Sequence, residues 1–420
     1  MARKLRHPCG SNQRNALKLL CTKPAYAASL TLSPAVMEPA HLPHGSPATL
    51  GSGMCVSSSH NASPSELSDK TPARGVAPGS YRELLLVAVF IVFNSFSFFL
   101  IQYDRMRPAG QGLDSLIRNM LAGILPAPDQ YRIGLSLALH FLELHAHIRP
   151  NQSLPLIEFL SYAFALMLLY LLFRCSPWVE NATDSHRLVL LGFFLTAAQF
   201  PILWIFPWER WEALPTTFYL AAIVILIVRR SRMPFALVCL LAAMLSLGQA
   251  LMRAEVPVAL GAAILLSAAL AIPFPRPRSH IAILGLLCGA IAGAAQLYLQ
   301  YVAYPNATYS PTTPRFQLLA NLNLLHPPLQ IPIFLTALLP LIVSLVLLRR
   351  HHLPLDPSDK LVLLILLVYL PVWVTMGLVV EVRIFVPFLF LASPTIAKLW
   401  GAFLFNQENG TPPNRSASLR

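Results

Sequence analysis

The sequence predicts an all-α protein, a polytopic membrane bundle of about ten transmembrane helices, on three observations. Of its 420 residues, 55% are hydrophobic and only 12% charged, about half the charged share of a soluble domain. The apolar residues gather into ten runs, at 84–101, 156–173, 188–206, 214–228, 235–251, 257–274, 281–302, 331–348, 361–378 and 384–404; a helix needs about 20 such residues to cross the hydrocarbon layer. The connections between runs alternate between basic and nearly neutral. A soluble enzyme is excluded by the runs, and a nucleic-acid binder by the scatter of the +13 net charge, which gathers on no soluble face.

Residues 1–80 are rich in Ser, Pro, Ala, Gly and His, hold eight Lys or Arg against three acids, and contain no spanning run. They read as a disordered cytoplasmic tail. The basic start at Arg3, Lys4 and Arg6 resembles a signal peptide, but no apolar stretch of sufficient length follows, so no cleaved signal is expected. Six cysteines without C-x-x-C spacing give neither a disulfide framework nor a zinc site. Orientation comes from the short loops. With the N-terminus inside, loops 174–187, 229–232, 275–280 and 349–360 carry ten Lys or Arg, against four (Arg210, Arg253, Arg315, Arg383) in the short outer loops. The positive-inside rule then puts both termini, including a 405–420 tail, in the cytoplasm.

The bundle occupies 84–404, and its first outer loop, 102–153, runs against that bias with five arginines. Asp114-Ser115 can cap a helix with Leu116, Ile117, Met120, Leu121 and Ile124 on one side, suited to lying in the interface plane. Pro126-Ala-Pro128 ends it, and Asp129 opens a second interfacial helix from Gln130 to about Ile148. The His140/Glu143/His147 stripe on that helix is where a divalent metal would bind, although the spacing reads first as a solvated face. Farther along, Gly285, Gly289 and Gly293 form a small-xxx-small stripe, suited to packing within the bundle or to a dimer face. Pro387 and Ser393-Pro394 suggest a kink in the last run.

Once topology signals are set aside, the remaining charges gather at outer turns: Asp129 with Arg132, Glu209 with Arg210 and Glu212, Arg253 with Glu255, and Glu381 with Arg383. Ionisable groups at membrane depth are costly unless paired or lining a wet cavity, so they mark candidate sites; the plainer reading is a salt bridge at each helix end. Four elements also fall in the order found in a large, uncharacterised family of bacterial multi-span membrane proteins. Asp129-Gln-Tyr-Arg132 resembles its QYR element, and Trp208-Glu-Arg-Trp-Glu-Ala-Leu-Pro215 its YD-x-P turn. Met252-Arg-Ala-Glu255 resembles its NRET turn, with Ala254 and Val256 in place of polar neighbours, and Glu381-Val-Arg-Ile-Phe-Val-Pro387 its E-x-R-x-F-x-P close. The layout is similar to the GT-C superfamily of glycosyltransferases, which transfer sugars from polyprenyl-phosphate donors at the outer membrane face. That likeness is one of architecture.

The resemblance implies a bacterial inner (plasma) membrane protein that uses a polyprenyl-phosphate-linked sugar. Such a transferase must hold a phosphate, activate a hydroxyl and stabilise a departing phosphate. Arginine suits phosphate through its bidentate fork, which nominates Arg132, Arg253 and Arg383. Asp129 is the first candidate for the general base and Glu209 the second. Tyr131 and Trp208 could stack on sugar faces, though both residue types are also ordinary interfacial anchors. Glu255 and Glu381 are supporting residues. The alternatives are a transporter or flippase of lipid-linked or small anionic substrates, and a non-enzymatic protein of envelope assembly. Transport calls for polar groups near mid-membrane, where the runs offer only Asn94, Gln199, Gln249, Gln296 and Gln300.

Overall fold

The computed structural model describes residues 81–408 except 128, 203–210, 230–232, 310–315, 320, 322–329, 354 and 378–381; for 105–111, 330–334, 383 and 406–408 it describes the backbone alone. Among these residues the chain is helical, and each of the ten apolar runs overlaps a helix. In chain order the helices are α1 (Tyr81–Leu121), α2 (Gly134–Ala146), α3 (Pro150–Arg174), α4 (Pro177–Glu180), α5 (Asp184–Gln199) and α6 (Ala213–Val228). There follow α7 (Phe235–Arg253), α8 (Glu255–Ala269), α9 (Arg278–Tyr298), α10 (Gln330–His351), α11 (Pro357–Met376) and α12 (Val386–Glu408). Six of them are long and apolar enough to cross a membrane, in α1, α3, α7, α9, α11 and α12; α6 and α8 are apolar but shorter.

Burial separates lipid-facing helices from the centre. Only 17% of the spanning window of α1 is buried, and Leu85, Val89, Val92, Phe93 and Phe96 stand exposed along it. Apolar side chains turned outward on a long helix are what a bilayer solvates. The corresponding share for α12 is 78%, and it packs against α3, α5, α6, α10 and α11. Its helix continues through Pro394, ends past the predicted boundary at Glu408, and keeps Phe385, Phe388, Phe390 and Leu391 fully buried at its start. Pro387 falls in the first turn, where a missing N–H costs nothing.

Close packing explains the glycines. A Cβ on Gly261 would stand 2.6 Å from the Gly285 carbonyl and 2.9 Å from the Gly289 nitrogen, so α8 and α9 touch backbone to backbone. Gly285 therefore serves the bundle, while Gly293 faces open space.

The first outer loop departs from expectation in one respect. The capped interfacial helix expected from Asp114 is the last part of α1, which runs unbroken for 41 residues. Starting a new helix at the membrane edge would strand backbone groups at two ends, and one continuous helix keeps them bonded. After it, Leu125 N–H donates to Gln130 Oε1 (3.0 Å) and Gln130 Nε2 to the Met120 carbonyl (2.6 Å), so a buried glutamine closes the turn. The second expected helix is present, shortened to α2 behind a 3-10 turn at Asp129–Tyr131.

Candidate functional site

Two polar clusters occupy opposite ends of the helices. The first lies where α7 ends, α8 begins and the turn before α12 passes. Arg253 is buried (6% exposed). Its Nε and one terminal nitrogen reach Glu255 Oε1 at 2.8 Å, that same nitrogen reaches the Tyr369 hydroxyl at 2.6 Å, and the other donates to the Ile384 carbonyl at 3.4 Å. An arginine so deep in apolar helices persists because its fork is satisfied on every side. The next turns of α7 continue the polar seam: Gln249 donates to Thr216 Oγ1 (2.9 Å), and Ser246 lies 3.2 Å from the Tyr219 hydroxyl. Gln249 is thus a packed side chain with a partner.

Around that core sit the residues of the 3-10 turn. Arg132 forms an ion pair with Asp129 at 3.9 Å, too long for a hydrogen bond; the side chains are 19% and 59% exposed respectively. The charge of Arg132 also acts on Glu255 and on Tyr369, and that of Glu212 acts on Arg253. The structure therefore draws Arg132, Arg253 and Glu255 together, with Asp129 on the water side. Tyr131 is not free to stack on a sugar. It is buried, donates to the Ala307 carbonyl (2.8 Å) and meets the Tyr309 ring edge-on. The donors of Arg253 are engaged by its three partners, Glu255, Tyr369 and the Ile384 carbonyl. Trp208, Glu209 and Glu381 lie outside the described residues; Arg383 is seen only as backbone in the Val382–Ile384 turn.

The expected metal stripe does not assemble. His140 Nδ1 and Glu143 Oε2 are 3.7 Å apart and nearly half exposed. His147, however, ends α2 as a left-handed cap (φ 54°), off the line of the other two. Among the described residues no group of three His, Cys, Asp or Glu could hold a metal ion.

The second cluster was missed in the sequence. Lys398 of α12, 5% exposed, reaches Asp356 Oδ2 at 3.0 Å and Asp359 Oδ1 at 2.5 Å. Ser176 Oγ donates to Asp356 Oδ2 (2.7 Å), Thr395 Oγ1 to Asp359 Oδ1 (2.7 Å), and Ser358 Oγ to Asp356. The two aspartates also form a capping box at the start of α11. Burial alone would push the Asp356 carboxyl up; Lys398 and the serine donors overcome it and hold the carboxyl well below its ordinary range. Nearby, Arg174 pairs with Glu83 at 3.2 Å, both buried, and the Tyr170 hydroxyl donates to the same carboxylate. One signal was available: Lys398 stands inside an apolar run, and Glu158, also buried, inside another.

No family model, curated protein or solved structure matches the chain.

Proposed function

We propose that this protein is an integral membrane glycosyltransferase of GT-C-like layout that works at the outer face of the bacterial inner membrane, with about ten spans and both termini in the cytoplasm. The observation that carries the reading is the Asp129–Arg132 pair, 3.9 Å apart on one turn beside the buried Arg253–Glu255 ion pair. Arg132 keeps donors available to a lipid-linked phosphate, and Asp129 is open to an acceptor arriving from water. In the step, the Asp129 carboxylate takes the proton of an acceptor hydroxyl as its oxygen bonds to the anomeric carbon. The bond from that carbon to the phosphate oxygen breaks, and Arg132 holds the charge left on the polyprenyl phosphate. Glu255, fixed by Arg253, adds a negative charge that acts on Arg132 beside the site.

One observation favours a transport reading. The buried Lys398–Asp356–Asp359 cluster at the other end is the kind of ionisable group that couples ion movement to a conformational change. Deleting the gene separates the two. Loss of a surface glycan with unchanged uptake supports transfer; unchanged glycans with altered uptake of a lipid-linked or anionic solute replace it with transport.

A further inference from the structure

At the end of the bundle that holds Lys398, a face of α11 beside the ion cluster carries a groove of about 400 Å³, lined by Leu270, Ala271, Ile272 and Pro273 on one side and Leu355, Lys360, Leu363, Leu364 and Leu367 on the other. Lys360, Leu363, Leu364 and Leu367 are spaced i, i+3, i+4 and i+7, so they form one stripe down the helix with the cation at its top. Lys360 and Leu367 are exposed. The opposite wall is the turn that ends α8. Ala271 N–H bonds to the Ala268 carbonyl and Ile272 N–H to the Ser267 carbonyl, and Ala271 takes φ 54°. That is a helix stop at which glycine is usual. An alanine there holds a left-handed backbone that side chains disfavour, and it contributes to the groove wall.

We infer that this groove holds an anionic phospholipid, its phosphate on Lys360 and an acyl chain along Leu363, Leu364 and Leu367. Charge complementarity selects the headgroup, since among the described residues of the lining Lys360 is the charged one and it lies at the start of a spanning helix, the depth at which headgroups lie. The apolar remainder selects a lipid over free phosphate, which would leave the leucines in water. The inference rests on the bilayer placement of the helices and not on the transferase reading.

The test uses the full chain reconstituted in bilayers of phosphatidylcholine with or without phosphatidylglycerol, and counts phosphatidylglycerol molecules retained after release into the gas phase of a mass spectrometer. Two variants are compared with wild type: Lys360→Gln removes the charge, and Leu364→Trp fills the groove while keeping it. Retention about fivefold weaker in both variants, with inorganic phosphate unable to compete, is the expected result. Unchanged retention in both variants overturns the inference. So does loss in Lys360→Gln alone, which would reduce the effect to surface charge, or competition by inorganic phosphate. Thermal unfolding of each variant in phosphatidylcholine alone separates a folding defect from a lost site. If Lys360→Gln is destabilised there, Lys360→Ala, which also removes the charge, takes its place, and Leu364→Phe takes the place of a destabilised Leu364→Trp, both read by the same criteria.

Discussion

Lys398 stands on the spanning helix that is most deeply buried, and it is retained because two carboxylates meet it and three hydroxyls bond to those carboxylates. Removing one member of such a set leaves the others buried without compensation, a loss of about 3–5 kcal/mol. Lys398→Met is therefore expected to lower stability by that amount in detergent unfolding monitored by circular dichroism, with partial recovery when Asp356→Asn and Asp359→Asn are added. Asp356 gives the cluster a pH signature. Its carboxyl is depressed in the folded chain, so the stability it contributes is complete above the unfolded value of about 3.9 and is lost as pH falls from there toward the folded value. Unfolding midpoints measured downward from pH 5 should fall steeply in the wild type and less steeply in Asp356→Asn. At the other end, Arg253→Lys retains the charge but loses the fork that joins Glu255, Tyr369 and Ile384, and should cost about 1–3 kcal/mol in the same assay.

Among helices, the contact of α8 with α9 makes the sharpest distinction. Gly261→Ala forces a methyl group against backbone on the facing helix and should destabilise by about 1–3 kcal/mol. Gly293→Ala, on the same small-residue stripe, meets open space and should be neutral or slightly stabilising, since alanine is the better helix former. The contrast in melting temperature distinguishes packing inside the bundle from a dimer face, for which Gly293 would be the sensitive position. The apolar runs were legible as helices because a backbone in lipid has to bond within itself, which long single runs do as helices; six of the described helices are long and apolar enough to cross a membrane. The unbroken α1 was not legible for a related reason. Asp114-Ser115 has the chemistry of a cap, but a cap forms only where the chain has reason to stop, and that is decided by the turn pinned by Gln130. Of the candidate site, Arg132, Arg253 and Glu255 were legible as charges left at outer turns once the topology signals were set aside. The burial of Tyr131 was not legible because its partner, the Ala307 carbonyl, is a backbone atom 176 residues away.

Among the described residues, the buried ion pairs gather at the two ends of the helices. Arg132, Glu212, Arg253 and Glu255 lie at one end; Glu83, Arg174, Asp356, Asp359 and Lys398 lie at the other. If the lysine end faces the cytoplasm, as the basic loops predict, a cysteine placed at 129 should react with a membrane-impermeant maleimide in intact cells and one at 352 only after permeabilisation. The buried lysine cluster escaped the charge sorting because Asp356 and Asp359 stand in a connection otherwise read for orientation alone, and their partner is 42 residues further on. The central claim is that the end bearing Asp129 and Arg132 transfers a lipid-linked sugar. Its most direct measurement is the surface glycan of a deletion strain complemented with Asp129→Asn, with membrane expression of the variant verified by immunoblot. Transfer by this site predicts that the glycan is absent as in the uncomplemented deletion, while the wild-type gene restores it. A glycan restored to the wild-type level by Asp129→Asn would contradict the account.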